Sequence, residues 1–165
     1  MRVRKATFSD LAALQPLYAA ARRFMRENGN PGQWGSARPS TMQLFRDIAE
    51  GRGHVLLENG RIEAAFSFTC APDPDYAEID GAWLNDAPYG VVHRLASSGR
   101  VRGAGAACLA WCMERCGNIR IDTHQDNRPM RAMLARQGFT PCGTVYLRGV
   151  GERLAFQKSD ERGRP

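Results

Sequence analysis

At 165 residues, 43% of them hydrophobic and 24% charged, the chain has the length of one domain and enough apolar content to bury a core. Its net charge of +6 suits a polyanionic ligand, but the arginines are spread out and no homeodomain, zinc-finger or RNP-type pattern occurs, so nucleic acid is not expected. No apolar run is long enough for a membrane, Met1-Arg2-Val3-Arg4-Lys5 opens no signal peptide, and five cysteines outside paired CxxC spacing read as reduced thiols, which makes the cytoplasm the expected location.

Residues 3–7 read as a first strand. Ser9 is the expected cap of a helix that places Leu11, Leu14, Leu17, Tyr18, Ala21 and Met25 on one side, with a kink expected at Pro16. Arg22, Arg23 and Arg26 form either a solvated face or an attraction for an acidic ligand. Residues 28–35 hold three glycines and a proline and form a loop, in which Trp34 is either a lid or a plug over the core. Ser40 and Gln43 make a capping box for a second helix carrying Met42, Leu44, Phe45 and Ile48.

Asn59-Gly60 between the apolar runs 54–57 and 62–69 is a hairpin signal. Residues 76–79 form a short strand or a turn, 81–89 continue the loop, and 90–97 are a fourth strand. A third helix carries Cys108, Cys112 and Cys116 at four-residue spacing on one face, a core pattern, and Gly117 closes it. Residues 118–124 are a fifth strand, Pro129 and Gly138 bracket a last helix, and 139–147 and 153–158 are the closing strands. Residues 1–158 thus form a single α/β domain, and 159–165 a frayed tail.

Between the fourth strand and the third helix lies Arg102-Gly103-Ala104-Gly105-Ala106-Ala107. Small residues here let a ligand approach the backbone, and a helix N-terminus offers unpaired N–H groups and a positive dipole end to phosphate. Arg100 and Arg102 add charge. A P-loop is excluded because no Lys-Ser/Thr follows the glycines, and the dinucleotide fingerprint fails at Cys108. The stretch resembles the acetyl-CoA turn of the GNAT N-acetyltransferases, Arg/Gln-x-x-Gly-x-Gly/Ala. It fits in the register Arg102, Gly105, Ala107, which is preferred, or in the register Arg100, Gly103, Gly105. A second motif resembles the family's next one: Asn127 opens a helix that reaches Gly138-Phe139 twelve residues later. The order of elements is also the family's.

The resemblance implies a mixed, mostly antiparallel sheet of six to seven strands with about four helices, strands 4 and 5 splayed. It implies acetyl-CoA as cosubstrate, its pyrophosphate on the amides of Arg102, Gly103, Ala104, Gly105, Ala106 and Ala107. The pantetheine arm would lie along Leu95, Ala96 and Ser97, with Asn127 and Met130 beside it. The implied partner is a small-molecule or peptide amine that attacks the thioester directly, and a homodimer is a possible assembly. The Tyr often found shortly before the Gly-Phe pair is Leu134 here, which removes the usual general acid. His93 is the first candidate for a base or relay, His124 with Asp122 nearby the second, and Tyr146 an alternative acid. Glu63, Glu78 and Asp80 are carboxylates that only the family analogy places near the cleft. His124-Gln125-Asp126 is no metal site, since adjacent residues without a further cluster cannot wrap an ion. The alternative to an enzyme is an acyl-CoA-binding or sensing domain without turnover.

Overall fold

A computed structural model of the chain describes residues 1–160. Eight strands, β1 (Arg2–Lys5), β2 (Gly53–Glu58), β3 (Arg61–Thr69), β4 (Asp80–Gly81), β5 (Gly90–Ser97), β6 (Asn118–Thr123), β7 (Thr140–Leu147) and β8 (Gly151–Ser159), form one sheet. Their order is β1-β2-β3-β5-β6-β8-β7-β4. Every pairing is antiparallel except β5 with β6. The count exceeds the expected six to seven because the two-residue β4 joins the far edge, so the anticipated fourth and fifth strands are β5 and β6.

Four helices cover the sheet: α1 (Leu11–Glu27), α2 (Thr41–Ala49), α3 (Ala104–Cys116) and α4 (Arg128–Arg136). Successive residues of a strand face opposite ways, and the core divides accordingly. Val55 and Ala65 pack with Leu14, Leu17 and Tyr18 of α1 and Leu44 of α2. Their neighbours Leu56 and Ala64 pack with Cys108, Leu109 and Cys112 of α3 and Leu134 of α4. The three-cysteine face is therefore core, and burial pushes the Cys108 thiol up to about 12.

Local chemistry explains most element ends. Asn59 (φ 50°) and Gly60 (φ 76°) make the turn joining β2 to β3. The Ser40 hydroxyl accepts the Gln43 amide at 3.1 Å and starts α2. Four expectations need correction or narrowing. Ser9 does not cap α1; it lies in a 3-10 turn, Phe8–Asp10. There Asp10 accepts the Thr7 amide at 2.7 Å and both Arg4 nitrogens at 2.7 and 2.9 Å. Met42 and Phe45 of α2 are exposed, Phe45 stacking on Phe8 with centroids 4.7 Å apart. Of the strand or turn expected at 76–79, the strand does not form and the turn does: Tyr76 ends the 3-10 turn Pro74–Tyr76. Ser159, expected in the tail, ends β8, and the Asp160 amide donates to Gly117 O at 2.6 Å. Residues 161–165 lie outside the described residues.

β4 meets β7 through Gly81 opposite Gly143. A Cβ on Gly81 would sit 2.2 Å from Cys142 O, and one on Gly143 2.0 Å from Asp80 O, so only glycine allows this approach.

Candidate active site

The parallel ladder between β5 and β6 spans only Gly90 with Ile119, Val91 with Arg120 and Val92 with Ile121. Beyond it β5 pairs with β3 alone and β6 with β8 alone, so the two strands part. The cause is a bulge: β5 takes three steps from His93 to Ala96 while β3 takes two from Ser67 to Ala65. Arg94 sits at φ 55°, a left-handed conformation that costs a non-glycine residue roughly 1–2 kcal/mol. Two contacts from the helices hold it there. The Arg94 guanidinium donates twice to buried Asp47, at 2.9 Å each, and the Tyr18 hydroxyl donates to Arg94 O at 2.8 Å. Arg94 and Leu95 have no register partner on either neighbouring strand.

A cleft opens where the strands part. His93, Arg94 and Leu95 line it from β5, and Asp122 and Thr123 from β6. Asn127 and Met130 border it from α4, Gln33, Trp34 and Arg38 from the loop before α2, and Arg153 from β8. Trp34 lines the cleft and packs on Tyr18 with centroids 5.7 Å apart. Asn127 accepts the Met130 amide at 3.2 Å and donates to Gln33 Oε1 at 2.8 Å, so it caps α4 and ties the loop to it.

At the far end of β5 the chain turns into α3. The Ser98 hydroxyl and Arg100 Nη2, the latter at 3.0 Å, bind the buried Glu63 carboxylate and hold it below its ordinary pKa, Ser98 contributing most. Glu63 therefore anchors this loop rather than the cleft. Gly103 at φ 80° precedes the first helical residue. The Ala107 amide already donates to Gly103 O at 2.9 Å and the Ala104 amide to Val101 O at 3.4 Å. Among the described residues the Gly105 and Ala106 amides meet no acceptor. A Cβ on Gly105 would come within 3.0 Å of Met133 Sδ. Glycine thus has a structural reason at 103 and 105, the Arg100, Gly103, Gly105 register. The preferred register loses its last position because Ala107 is engaged within the helix. Arg100 is tied to Glu63, and Arg102 is exposed. Leu95 packs toward α3, Ala96 is buried opposite Ala65, and Ser97 is exposed opposite Ala64.

His93 stands between two carboxylates. Its Nε2 lies 2.7 Å from Asp73 Oδ2 and its Nδ1 3.5 Å from Asp122 Oδ1, an oxygen that accepts the Tyr76 hydroxyl at 2.6 Å. The His93 bond holds Asp73 below the ordinary carboxylate range, so Asp73 is an acceptor and Nε2 carries the hydrogen. Burial first, then Asp122, raises the Tyr76 hydroxyl, which stays a donor. Nδ1 is left facing the cleft and too far from Asp122 for a direct hydrogen bond.

The other candidates are not brought to this place. His124 Nδ1 accepts the Asp126 amide at 3.1 Å in the turn after β6. Tyr146 is 67% exposed and points away, its neighbour Leu147 being the residue that lines the cleft. Glu78 and Asp80 are exposed and outside the lining. Leu134 is fully buried between α4 and the sheet, offering no polar group. Asp73, Tyr76, Arg38 and Arg153 were not anticipated. Asp122 was noted only beside His124, although its position on β6 opposite β5 was available from the strand order.

No family model matches the sequence, and no curated protein sequence does either. Solved structures do. The fold is similar to a GNAT family acetyltransferase from Listeria monocytogenes (20% identity, 95% of this chain and 93% of that one, TM-score 0.67). It is also similar to a phosphinothricin acetyltransferase from Sinorhizobium meliloti solved with AcCoA (15% identity, 99% and 92% covered, TM-score 0.65). A GNAT family acetyltransferase from Streptococcus agalactiae matches at 30% identity over 98% of this chain and 96% of its own, with a TM-score of 0.87. Identity at that level over nearly the full length of both chains means that the chain belongs to the GNAT acetyltransferase family.

Proposed function

We propose that the chain is a cytoplasmic N-acetyltransferase that moves the acetyl group of acetyl-CoA to a primary amine on a small molecule or peptide. One observation carries the reading. The half of β5 left open by the bulge leads through the loop 98–103 to the first-turn amides of α3, so an extended amide-bearing arm and a diphosphate find successive, complementary stretches of backbone. The S. meliloti neighbour was solved with AcCoA, in keeping with this use of the fold. Gly103, Gly105 and Ala106 would hold the pyrophosphate with help from Arg102, and Leu95 to Ser97 would accompany the pantetheine.

Acetyl-CoA supplies an activated acetyl group on a thiolate leaving group. The chain supplies position and proton transfer. Asp122 attracts the acceptor's ammonium, and His93 Nδ1, oriented by Asp73, takes its proton so that the nitrogen lone pair is free. The N–C bond then forms as the C–S bond breaks, with the electron pair leaving on sulfur, and the second proton shed by the acylated nitrogen passes to the departing thiolate to give the amide and free CoA thiol. Leu95, unpaired at the bulge, offers its amide to the developing oxyanion. With Leu134 in place of a Tyr, the thiolate departs without a side-chain acid from α4.

The test is acetyl-CoA-dependent thermal stabilisation together with thiol release against an amine library. His93→Gln should keep the stabilisation and lower kcat by about 100- to 1,000-fold. Absence of any thermal shift at millimolar acetyl-CoA overturns the reading. The second reading, an acyl-CoA-binding domain without turnover, is favoured by Leu134 and predicts the shift without thiol release.

A further inference from the structure

We infer that the amine acceptor also bears a carboxylate, as a free amino acid does, and that Arg38 and Arg153 receive it; this rests on the acetyltransferase reading above. Arg38 and Arg153 line the same cleft as His93 and Asp122. Arg153 is only 6% exposed, yet its partners are neutral carbonyls, Glu152 O at 2.8 Å and Gln33 O at 3.3 Å. Arg38 donates to Gly149 O at 3.1 Å. Among the described residues neither forms an ion pair.

Other arginines are treated differently. Arg4 pairs with Asp10, Arg94 with Asp47 and Arg100 with Glu63, each within about 3 Å. Arg120, which lacks a carboxylate, lies over the Trp83 and Tyr89 rings at 4.3 and 3.9 Å, away from the cleft. A buried guanidinium cannot shed its proton, so leaving one without an anion is costly unless something arrives to compensate it. Desolvation pushes Arg153 down, Arg38 pushes in the same direction, and Asp122 opposes them. The cleft therefore carries both signs: Asp122 and His93 from β6 and β5, Arg153 and Arg38 from β8 and the loop before α2. A zwitterion with its amine and carboxylate close together matches both sets at once. A peptide N-terminus satisfies only the first, and a polyamine is repelled by the second.

The experiment uses the full chain with saturating acetyl-CoA and compares free amino acids, the corresponding carboxamides, and putrescine by thiol release. Free amino acids should exceed their carboxamides in kcat/KM by at least about 30-fold, the scale on which a desolvated charge partner is missed. Arg38→Gln, at an exposed position that does not threaten folding, and Arg153→Gln should raise KM for the amino acids and erase most of that discrimination. Both should leave the acetyl-CoA-induced thermal shift in place. Equal or faster turnover of carboxamides or putrescine overturns the acceptor while leaving acetyl transfer standing, as does discrimination that survives in Arg38→Gln. Loss of both thermal shift and thiol release in the wild-type chain overturns the transferase reading and the acceptor with it.

Discussion

The two halves of β5 are built on opposite rules. At Val91 and Val92 the strand is paired on both sides and buried. From His93 to Ser97 it has register partners only on β3, Arg94 and Leu95 having none, and its shape is held from outside the sheet by Tyr18 and Asp47. A buried strand edge left open would ordinarily attract another strand or collapse. Here a charged pair and a phenol fix its conformation without filling the gap, so backbone groups stay available to a ligand.

Breaking that support tests the contrast. Asp47→Ala should have the largest effect, about 3 kcal/mol in denaturant unfolding, because it strands the Arg94 guanidinium. It should also weaken acetyl-CoA stabilisation; unchanged binding would show that the bulge does not need its ion pair. Tyr18→Phe removes one hydrogen bond to Arg94 O and should cost about 1 kcal/mol, again with weaker cofactor stabilisation. Asp10→Asn provides the control, a carboxylate–guanidinium pair remote from β5. It should cost about 1 kcal/mol at neutral pH and leave cofactor stabilisation untouched. Asp10 is held down at about 2, chiefly by its bond from Arg4, so its contribution is complete above the ordinary carboxylate range. It should disappear as pH falls from about 4 toward about 2, where wild-type and variant unfolding curves converge. A difference that persisted below that window would show that the Arg4 pair is not its source.

What was legible in the sequence was local. The Asn59-Gly60 turn, the Ser40 cap and the Gly117 stop each declare themselves within a few residues, and the apolar periods placed the strands and helices around them. The proposed phosphate corner was legible as a candidate because residues 102–107 resemble a family motif at a helix start. Its register was not, since the choice depends on Gly103's φ and on Met133 approaching from α4. The bulge had no signal at all: arginine is an unexpected residue for φ 55°, and Asp47 lies 47 positions away. The His93 cluster was half visible. The imidazole could be nominated by residue type, but Asp73 and Tyr76 come from a loop that looked featureless. Tyr146 was misjudged for a simpler reason: buried Val145 beside it places it on the outward face of β7.

The placement of β4 binds the protein's two half-sheets to each other. Its two residues come from the early part of the chain yet complete the edge formed by the late part, so the segment between β3 and β5 travels across the neighbouring half and returns. The first 97 residues and the remainder are interleaved rather than side by side. Neither fragment contains a finished sheet, and complementation by separately expressed pieces cut after β5 would have to thread Gly81 against Gly143 before the fold could close.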